Sequence, residues 1–208
     1  MKVIICCEGL NDVGPLTNFV KKSAFLESLE VECEIHKSIA NRIKLYKKRD
    51  TREIMIYKLY VLAKLKDCKH IGYHQDADNN EFLFVYNAIK NDFINNVPNT
   101  IKCLPIVPQK TMESWLLSDE SAYPNKPKNP SLPINPEDIW GSPRDPGSNH
   151  PKKYFIHVLA QFGIVPNRNT YSQIAENTDI EVLKRRCPKS FGQFYEDMQV
   201  FIGEGSTP

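Results

Sequence analysis

The sequence predicts an α/β fold with a mostly parallel four-stranded sheet, flanked by helices and followed by a helical C-terminal cap. In residues 1–120, short apolar runs alternate with amphipathic stretches, a pattern that favours βαβ units. A stretch rich in Pro, Asn and Ser comes next, and beyond it the apolar residues keep helical spacing. We therefore expect an α/β core in residues 1–120, a long irregular Pro-rich loop in 121–150, and a helical region in 151–208 that packs on the core.

The predicted strands differ in their expected burial. The first is apolar throughout, as a buried parallel strand would be, whereas the second alternates and is expected nearer an edge. The fourth contains Pro105, which lacks a backbone donor and so also favours an edge. The four strands are predicted at residues 2–7, 31–36, 70–78 and 101–107.

Helical periodicity connects these strands and continues after them. The stretch 51–67 is strongly amphipathic, and a basic loop, 41–50, precedes it. Helices are predicted at residues 12–29, 51–67, 81–95, 111–117, 151–162, 171–186 and 188–201.

The composition is that of an ordinary globular protein. Of the 208 residues, 41% are hydrophobic and 25% are charged, and the formal net charge is +2. The N-terminal apolar run is too short to span a membrane and has no signal-peptide cleavage site, so we expect a cytoplasmic protein without a membrane partner. The six cysteines form no C-x-x-C pair and are expected to be reduced, buried residues rather than zinc ligands.

Acidic residues follow two of the predicted strands. Glu8 ends the first strand, Asp76 and Asp78 end the third, and Asp12 lies one turn beyond Glu8. Ligands of parallel sheets bind at the carboxyl ends of strands, so these four side chains converge if the two strands are neighbours. A cluster of carboxylates suits Mg²⁺ or Mn²⁺, ions that activate water for phosphodiester hydrolysis. The alternative for D-x-D is ordinary turn chemistry after a strand.

Two of these motifs resemble the Toprim domain, which is shared by topoisomerases, primases and the OLD (overcoming-lysogenization-defect) nucleases. They are EGLND at residues 8–12 and DAD at 76–78. Further segments are similar to a family of small bacterial Toprim-related proteins of unassigned function, often encoded beside AAA-type ATPases in defence loci. These segments are ESWLLSD at 113–119, PKKYF at 151–155 and RCPKSF at 186–191. The resemblance implies a Toprim-like, Rossmann-like core.

The resemblance also implies roles for individual residues. Glu8 would act as a general acid or base as well as a metal ligand. Glu113 would add to the acidic site, although a glutamate in a first helical turn also stabilises the helix dipole. Lys152 or Lys153 would stabilise transition-state charge, unless both are solvated surface lysines. The implied metal ligands are Glu8, Asp12, Asp76, Asp78 and Glu113.

A dense basic stretch is the candidate contact for nucleic acid. Its positive side chains could follow a phosphate backbone while Tyr46 stacks on a base. A charge run of this kind is also common on a solvated protein face. The basic residues are Arg42, Lys44, Lys47, Lys48, Arg49 and Arg52. His74, two residues before Asp76, could point at the acidic site, but core packing is the preferred expectation.

The function predicted from these features is a Mg²⁺- or Mn²⁺-dependent nuclease that hydrolyses phosphodiesters of DNA or RNA. The resemblance implies an effector in a bacterial anti-phage or mobile-element system. The alternative is a non-catalytic Toprim-like adaptor that docks on a partner ATPase of the AAA or ABC type, since the chain has no Walker A motif of its own. A D-x-D glycosyltransferase is a third interpretation, but it leaves Glu8 and Gly9 unexplained.

Overall fold

The sheet of the computed structural model has four strands in the order β2-β1-β3-β4, and every neighbouring pair is parallel. The structure describes residues 1–26, 28–44, 51–124, 132–133, 135–139 and 150–203. The strands are β1 (Lys2–Cys7), β2 (Glu30–Ile35), β3 (His70–His74) and β4 (Lys102–Ile106). The predicted α/β class with a four-stranded parallel sheet is therefore confirmed.

The position of each strand in the sheet follows from its composition. β1 lies inside the sheet, and its apolar residues from Val3 to Cys7 are fully buried, which is why the run is apolar throughout. β2, whose sequence alternates, lies at one edge, and β4 lies at the other. Pro105 is tolerated in β4 because an edge strand does not need every backbone donor. Both predicted edge strands are confirmed.

Helices connect the strands and form the C-terminal part of the chain. No helix in the described ranges is both long enough and apolar enough to cross a membrane. The α-helices are α1 (Val13–Ala24), α2 (His36–Arg42), α3 (Arg52–Leu65), α4 (Phe82–Asn96), α5 (Met112–Leu116), α6 (Pro151–Gln161), α7 (Arg168–Asn177), α8 (Ile180–Arg186) and α9 (Ser190–Gly203). Short 3₁₀ turns span Glu120–Ala122 and Pro136–Asp138.

Two regions differ from the predicted helical pattern. α2 forms where the sequence predicted the end of a strand and the start of the basic loop. The predicted helix 171–186 is divided into α7 and α8, because Asp179 starts a new helix. Its Oδ1 accepts hydrogen bonds from the backbone N–H groups of Glu181 at 2.7 Å and Val182 at 3.3 Å, which caps the first turn of α8.

The helices cover both faces of the sheet and create two hydrophobic cores. One core joins the sheet to α1 and to α5 through α9, and the other joins it to α2, α3 and α4. Since successive strand residues point to opposite faces, β1 contributes Ile5 to the first core and Ile4 to the second. The C-terminal helices thus share a core with the sheet.

An aromatic cluster in the first core fastens α9 to α5. Trp115 makes edge-to-face contacts with Phe19 and Phe191, with ring centroids 5.8 and 5.0 Å apart. Its Nε1 donates to Ser190 Oγ at 2.8 Å. The carboxylate of Glu137 accepts from the backbone N–H of Ser190 at 2.7 Å, which stabilises the start of α9. Two of the segments that carry the narrower resemblance therefore meet in this core.

Candidate metal centre

The acidic residues lie at the point where the strand order of the sheet reverses. β2 lies on one side of β1 and β3 lies on the other, so the crevice between the carboxyl ends of β1 and β3 is the switch point of the sheet. Glu8 follows β1, and Asp76 and Asp78 follow β3. The two strands are direct neighbours, with Cys6 opposite Tyr73. The carboxylates were predicted to converge if these two strands are neighbours, and the strands are neighbours.

The segment after β3 stays extended and holds its two aspartates in place. The backbone N–H of Gln75 donates to Ile106 O at 3.1 Å, and the N–H of Asp78 donates to Lys110 O at 2.9 Å. Asp78 then adopts a φ of 51°, a left-handed conformation that Asp tolerates better than most residues. The D-x-D motif therefore serves as a turn and also presents carboxylates at the switch point.

Asp76 is the most enclosed carboxylate of the D-x-D motif, with 5% of its surface exposed. Its Oδ1 accepts from the backbone N–H of Met112 at 3.0 Å and so satisfies a free amide at the start of α5. Its Oδ2 lies 3.6 Å from Lys152 Nζ. Asp76 thus contacts α5 and α6, and it needs both helices to balance its buried charge.

Asp12 and Glu8 approach the site from the other strand. Asp12 immediately precedes α1, yet its carboxylate does not cap that helix, and Oδ2 accepts from the N–H of Gly9 at 2.8 Å. Burial raises the pKa of Asp12, against the opposing charge of His74. Glu8 is exposed at the rim, but surrounding protein raises its pKa to about 7, with a further contribution from Asp76. Glu8 can therefore exchange a proton near neutral pH.

His74 lies at the centre of the acidic residues. It is fully buried, as predicted for a core residue, but its Nδ1 lies 4.0 Å from Asp12 Oδ2 and its Nε2 lies 3.4 Å from Asp76 Oδ1. Within the described part of the chain neither ring nitrogen makes a well-aligned hydrogen bond, although Asp76 Oδ1 lies within hydrogen-bonding distance of Nε2. Burial lowers the pKa of His74, but the carboxylates outweigh it and raise the pKa to about 9. At neutral pH the ring is a cation between Asp12 and Asp76.

Glu113 and Lys152 complete the cluster. Glu113 is 5% exposed in the first turn of α5, and its Oε2 has no hydrogen-bond partner among the described residues. Burial raises the pKa of Glu113, and Asp76 raises it further. Stabilisation of the helix dipole requires no such burial, so the position of Glu113 fits a place in the acidic site better. The side chain of Lys152 is 53% exposed; the protein around it lowers its pKa, but Asp76 and Glu113 outweigh this and hold the pKa above its usual range.

Two basic residues at this site were not predicted from the sequence. Lys110 is 8% exposed; burial lowers its pKa and the charge of Asp78 opposes that change. His150 is 7% exposed, and its Nδ1 accepts from the N–H of Lys152 at 3.3 Å, where it caps α6. Lys110 follows the last strand, so the rule that selected the carboxylates would have found it. The sequence around His150 carries no comparable signal. Lys153 is half-buried on α6, where its charge contributes to lowering the pKa of His150.

The residues predicted to contact nucleic acid are only partly within the described ranges. Lys47, Lys48 and Arg49 lie outside them. Arg42 Nη1 contacts Glu34 Oε1 at 2.7 Å, and Arg52 forms an ion pair with Asp92. Lys44 is exposed. Both described arginines therefore have acidic partners within the fold, and a phosphate would have to compete with Glu34 or Asp92.

The carboxylate side chains at the site are ligands of the kind that suits a hard divalent cation. Their present arrangement, however, is not that of a formed metal site. Among the described residues, no three His, Cys, Asp or Glu side chains are placed to hold an ion. The surrounding protein raises the pKa of Glu8, Asp12, Asp78 and Glu113, and the charge of Asp76 raises each of them further, so a cation would relieve repulsion among these carboxylates. Carboxylate oxygens are the ligands that Mg²⁺ and Mn²⁺ prefer. Binding would require side chains to turn toward a common point.

No protein-family model, curated protein or solved structure matches this chain. The resemblance to the Toprim domain therefore rests on the motifs alone and stays a prediction.

Proposed function

We propose that the protein is a metal-dependent nuclease of Toprim type that hydrolyses phosphodiesters of DNA or RNA with Mg²⁺ or Mn²⁺. The observation that carries the proposal is the convergence of acidic side chains from two neighbouring strands at the switch point of the sheet. Lys152, 3.6 Å from Asp76, supplies positive charge at the same place. Acidic ligands beside one lysine are suited to a phosphate that gains charge in its transition state.

The proposed roles follow from burial and charge. Asp76 and Asp78 would hold a cation, with Asp12 and Glu113 available for a second. The bound cation would supply activation of water and neutralisation of the phosphate. Glu8, with a pKa of about 7, would take up the proton released by the attacking water.

Lys152 would stabilise the charge that develops on the phosphate oxygens. Its ammonium group remains protonated beside Asp76 and Glu113, because their charges raise its pKa. It also projects from the first turn of α6, where a positive charge does not benefit from the helix dipole. The helix dipole therefore does not account for Lys152, and its contact with Asp76 supports the proposed role.

The biological setting is proposed from the resemblance only. A bacterial anti-phage or mobile-element system would use the protein as an effector, and an AAA- or ABC-type ATPase encoded nearby would be its partner. Such a partner would explain how a nuclease is held inactive until it is needed.

The direct test is cleavage of plasmid DNA and of structured RNA in Mg²⁺, Mn²⁺ or EDTA. Asp78→Asn should abolish metal-dependent cleavage, since it removes a carboxylate without removing a helix cap. Asp67→Asn is a matched control, because Asp67 is also exposed and has a φ of 49°, yet it lies before β3 at the opposite end of the sheet. Cleavage by Asp78→Asn at the rate of the unmodified protein would contradict the proposal.

A non-catalytic adaptor is the second candidate, and one feature of the site favours it. Asp12 and Asp76 each already accept a backbone hydrogen bond, and the His74 ring balances their charge without a metal. An adaptor would keep this arrangement as a structural core. Calorimetric titration with Mn²⁺ separates the two candidates. A heat of Mn²⁺ binding that the Asp78→Asn substitution removes supports the nuclease. No heat of binding to the unmodified protein supports the adaptor.

A further inference from the structure

A pocket of about 380 Å³ is lined by segments that follow β3 and β4, and so lies at the edge of the sheet that also carries the acidic site. The first turn of α4, the segment after β4 and the start of α9 surround it. Its lining residues are Glu81, Phe82, Leu83, Gln109, Lys189 and Gln193. None of them belongs to the proposed metal and proton-transfer machinery, so the pocket is a separate feature of the molecule.

The pocket combines a mostly apolar wall with a few polar groups. Phe82 is buried and stacks on Tyr86, with ring centroids 5.5 Å apart, while Leu83 is 54% exposed at the rim. Gln109 Oε1 is buried and has no hydrogen-bond partner in the described part of the chain. A buried acceptor without a donor is rare in a folded protein, and a donor in a bound ligand would satisfy it once the Gln109 side chain turns toward the pocket.

The rim of the pocket carries charges of both signs. Lys189 Nζ lies 3.5 Å from Asp138 Oδ1, but both side chains are more than half exposed, so this pair is weak. Lys189 is therefore available to a phosphate. Gln193 Nε2 donates to Asp197 Oδ1 at 3.2 Å, which fixes the amide toward α9.

Chain connectivity ties the pocket to the acidic site. Glu81 lies three residues after Asp78, and Gln109 immediately precedes Lys110. The carbonyl of Lys110 accepts the hydrogen bond from the N–H of Asp78 that ends the extended segment after β3. A ligand bound in the pocket is thus one short loop away from the carboxylates at the switch point.

We propose that this pocket binds one unpaired nucleobase of a single-stranded or locally opened nucleic acid, next to the phosphate that occupies the acidic site. The proposal rests on the proposed nuclease function and adds a base subsite to it. The apolar wall would pack on the face of the base, and the amide of Gln109 would pair with its polar edge, as amide side chains do with bases. Lys189 would contact a neighbouring phosphate.

The test compares short fluorescent oligonucleotides of DNA and RNA with versions that carry one abasic position, scanned along the strand. Binding is followed by anisotropy in EDTA, so cleavage does not contribute. The unmodified protein should bind the intact strand about tenfold more tightly than the strand whose abasic position faces the pocket. Gln109→Leu and Leu83→Glu should remove that difference, the first by deleting the amide and the second by replacing part of the apolar wall with a charge.

Leu65→Glu is the matched control, since Leu65 is 72% exposed on α3 and the same charge is added away from the pocket. It should retain the preference for the intact strand. Equal binding of intact and abasic strands by the unmodified protein overturns the proposal. A preference that survives both pocket variants also overturns it, and is the result expected if the pocket instead receives a partner protein.

A parallel cleavage assay in Mg²⁺ or Mn²⁺ separates this proposal from the nuclease function. If the unmodified protein cleaves and Gln109→Leu and Leu83→Glu do so with the same KM, the nuclease function is retained and the base subsite is overturned. Base-dependent binding that both variants remove, without cleavage under any condition, would retain the base subsite and overturn the nuclease.

Discussion

Replacing His74 by Asn removes the buried cation from the centre of the acidic cluster. The pKa of His74 is about 9 in the folded protein, against an ordinary value of 6.5, because Asp76, Asp12 and Glu8 outweigh the effect of burial. Below pH 6.5 the ring is protonated in the folded and unfolded chains alike. Between pH 6.5 and about 9 the His74 ring of the folded protein keeps a proton that the unfolded chain releases, so the free energy of unfolding falls as pH rises.

The expected magnitude follows from the two pKa values. The difference between about 9 and 6.5 corresponds to about 3 kcal/mol of folding free energy that is present below pH 6.5 and lost as pH rises through 9. The pKa of Glu8 is also raised, from 4.5 to about 7. The folding free energy that its bound proton contributes is therefore present below pH 4.5 and is lost as pH rises through 7. The two groups therefore act over largely separate ranges of pH.

The measurement is urea unfolding in EDTA, followed by tryptophan fluorescence across this range of pH. The free energy of unfolding of the unmodified protein should fall by about 3 kcal/mol more than that of His74→Asn as pH rises from 6.5 to 9. His157→Asn is the control, because His157 is exposed on α6. If the unmodified protein and His74→Asn lose the same free energy, the ring is not a cation in the folded state and the electrostatic account of the site is wrong.

Three further changes test packing, capping and the proposed chemistry. Gly14→Ala would place a methyl 2.6 Å from Ser172 Cβ where α1 crosses α7, so it should cost about 1–3 kcal/mol in urea unfolding, and Ser172→Gly should restore part of the loss. Glu137→Ala removes the cap of α9 and should cost about 1–2 kcal/mol; an unchanged urea midpoint would contradict that role. In a cleavage assay, Lys152→Met should slow the reaction about a hundredfold, whereas Lys153→Met should have little effect; equal losses would show that neither lysine is specific.

Much of the fold could be predicted because its signals are local. The apolar run of β1 and the alternation of β2 depend on neighbouring residues only, and both strands lie within one residue of the predicted ranges. The predicted strand 70–78 was too long, since β3 ends at His74 and the following residues are extended without being strand. α2 was missed because its seven residues are too few to show a clear helical period.

The candidate site was predicted in part, from the chemistry of strand ends. Asp76 and Glu8 could be assigned to one edge of the sheet because parallel strands share a direction. The partners of Asp76 could not be assigned, since Met112 and Lys152 belong to distant parts of the chain. The contact of His74 with the carboxylates was the less favoured of two expectations, although His74 and Asp76 are two residues apart and side chains two apart in an extended segment share a face.

The sequence by itself determined where most strands and helices form and which carboxylates follow β1 and β3, because hydrophobic period and turn chemistry act between near neighbours. Only the tertiary structure decided that these two strands are adjacent, that α5 and α6 bring Glu113 and Lys152 to them, and that the His74 ring lies between Asp12 and Asp76. Such contacts depend on how the helices pack on the sheet, and packing is a property of the whole chain rather than of any segment of it.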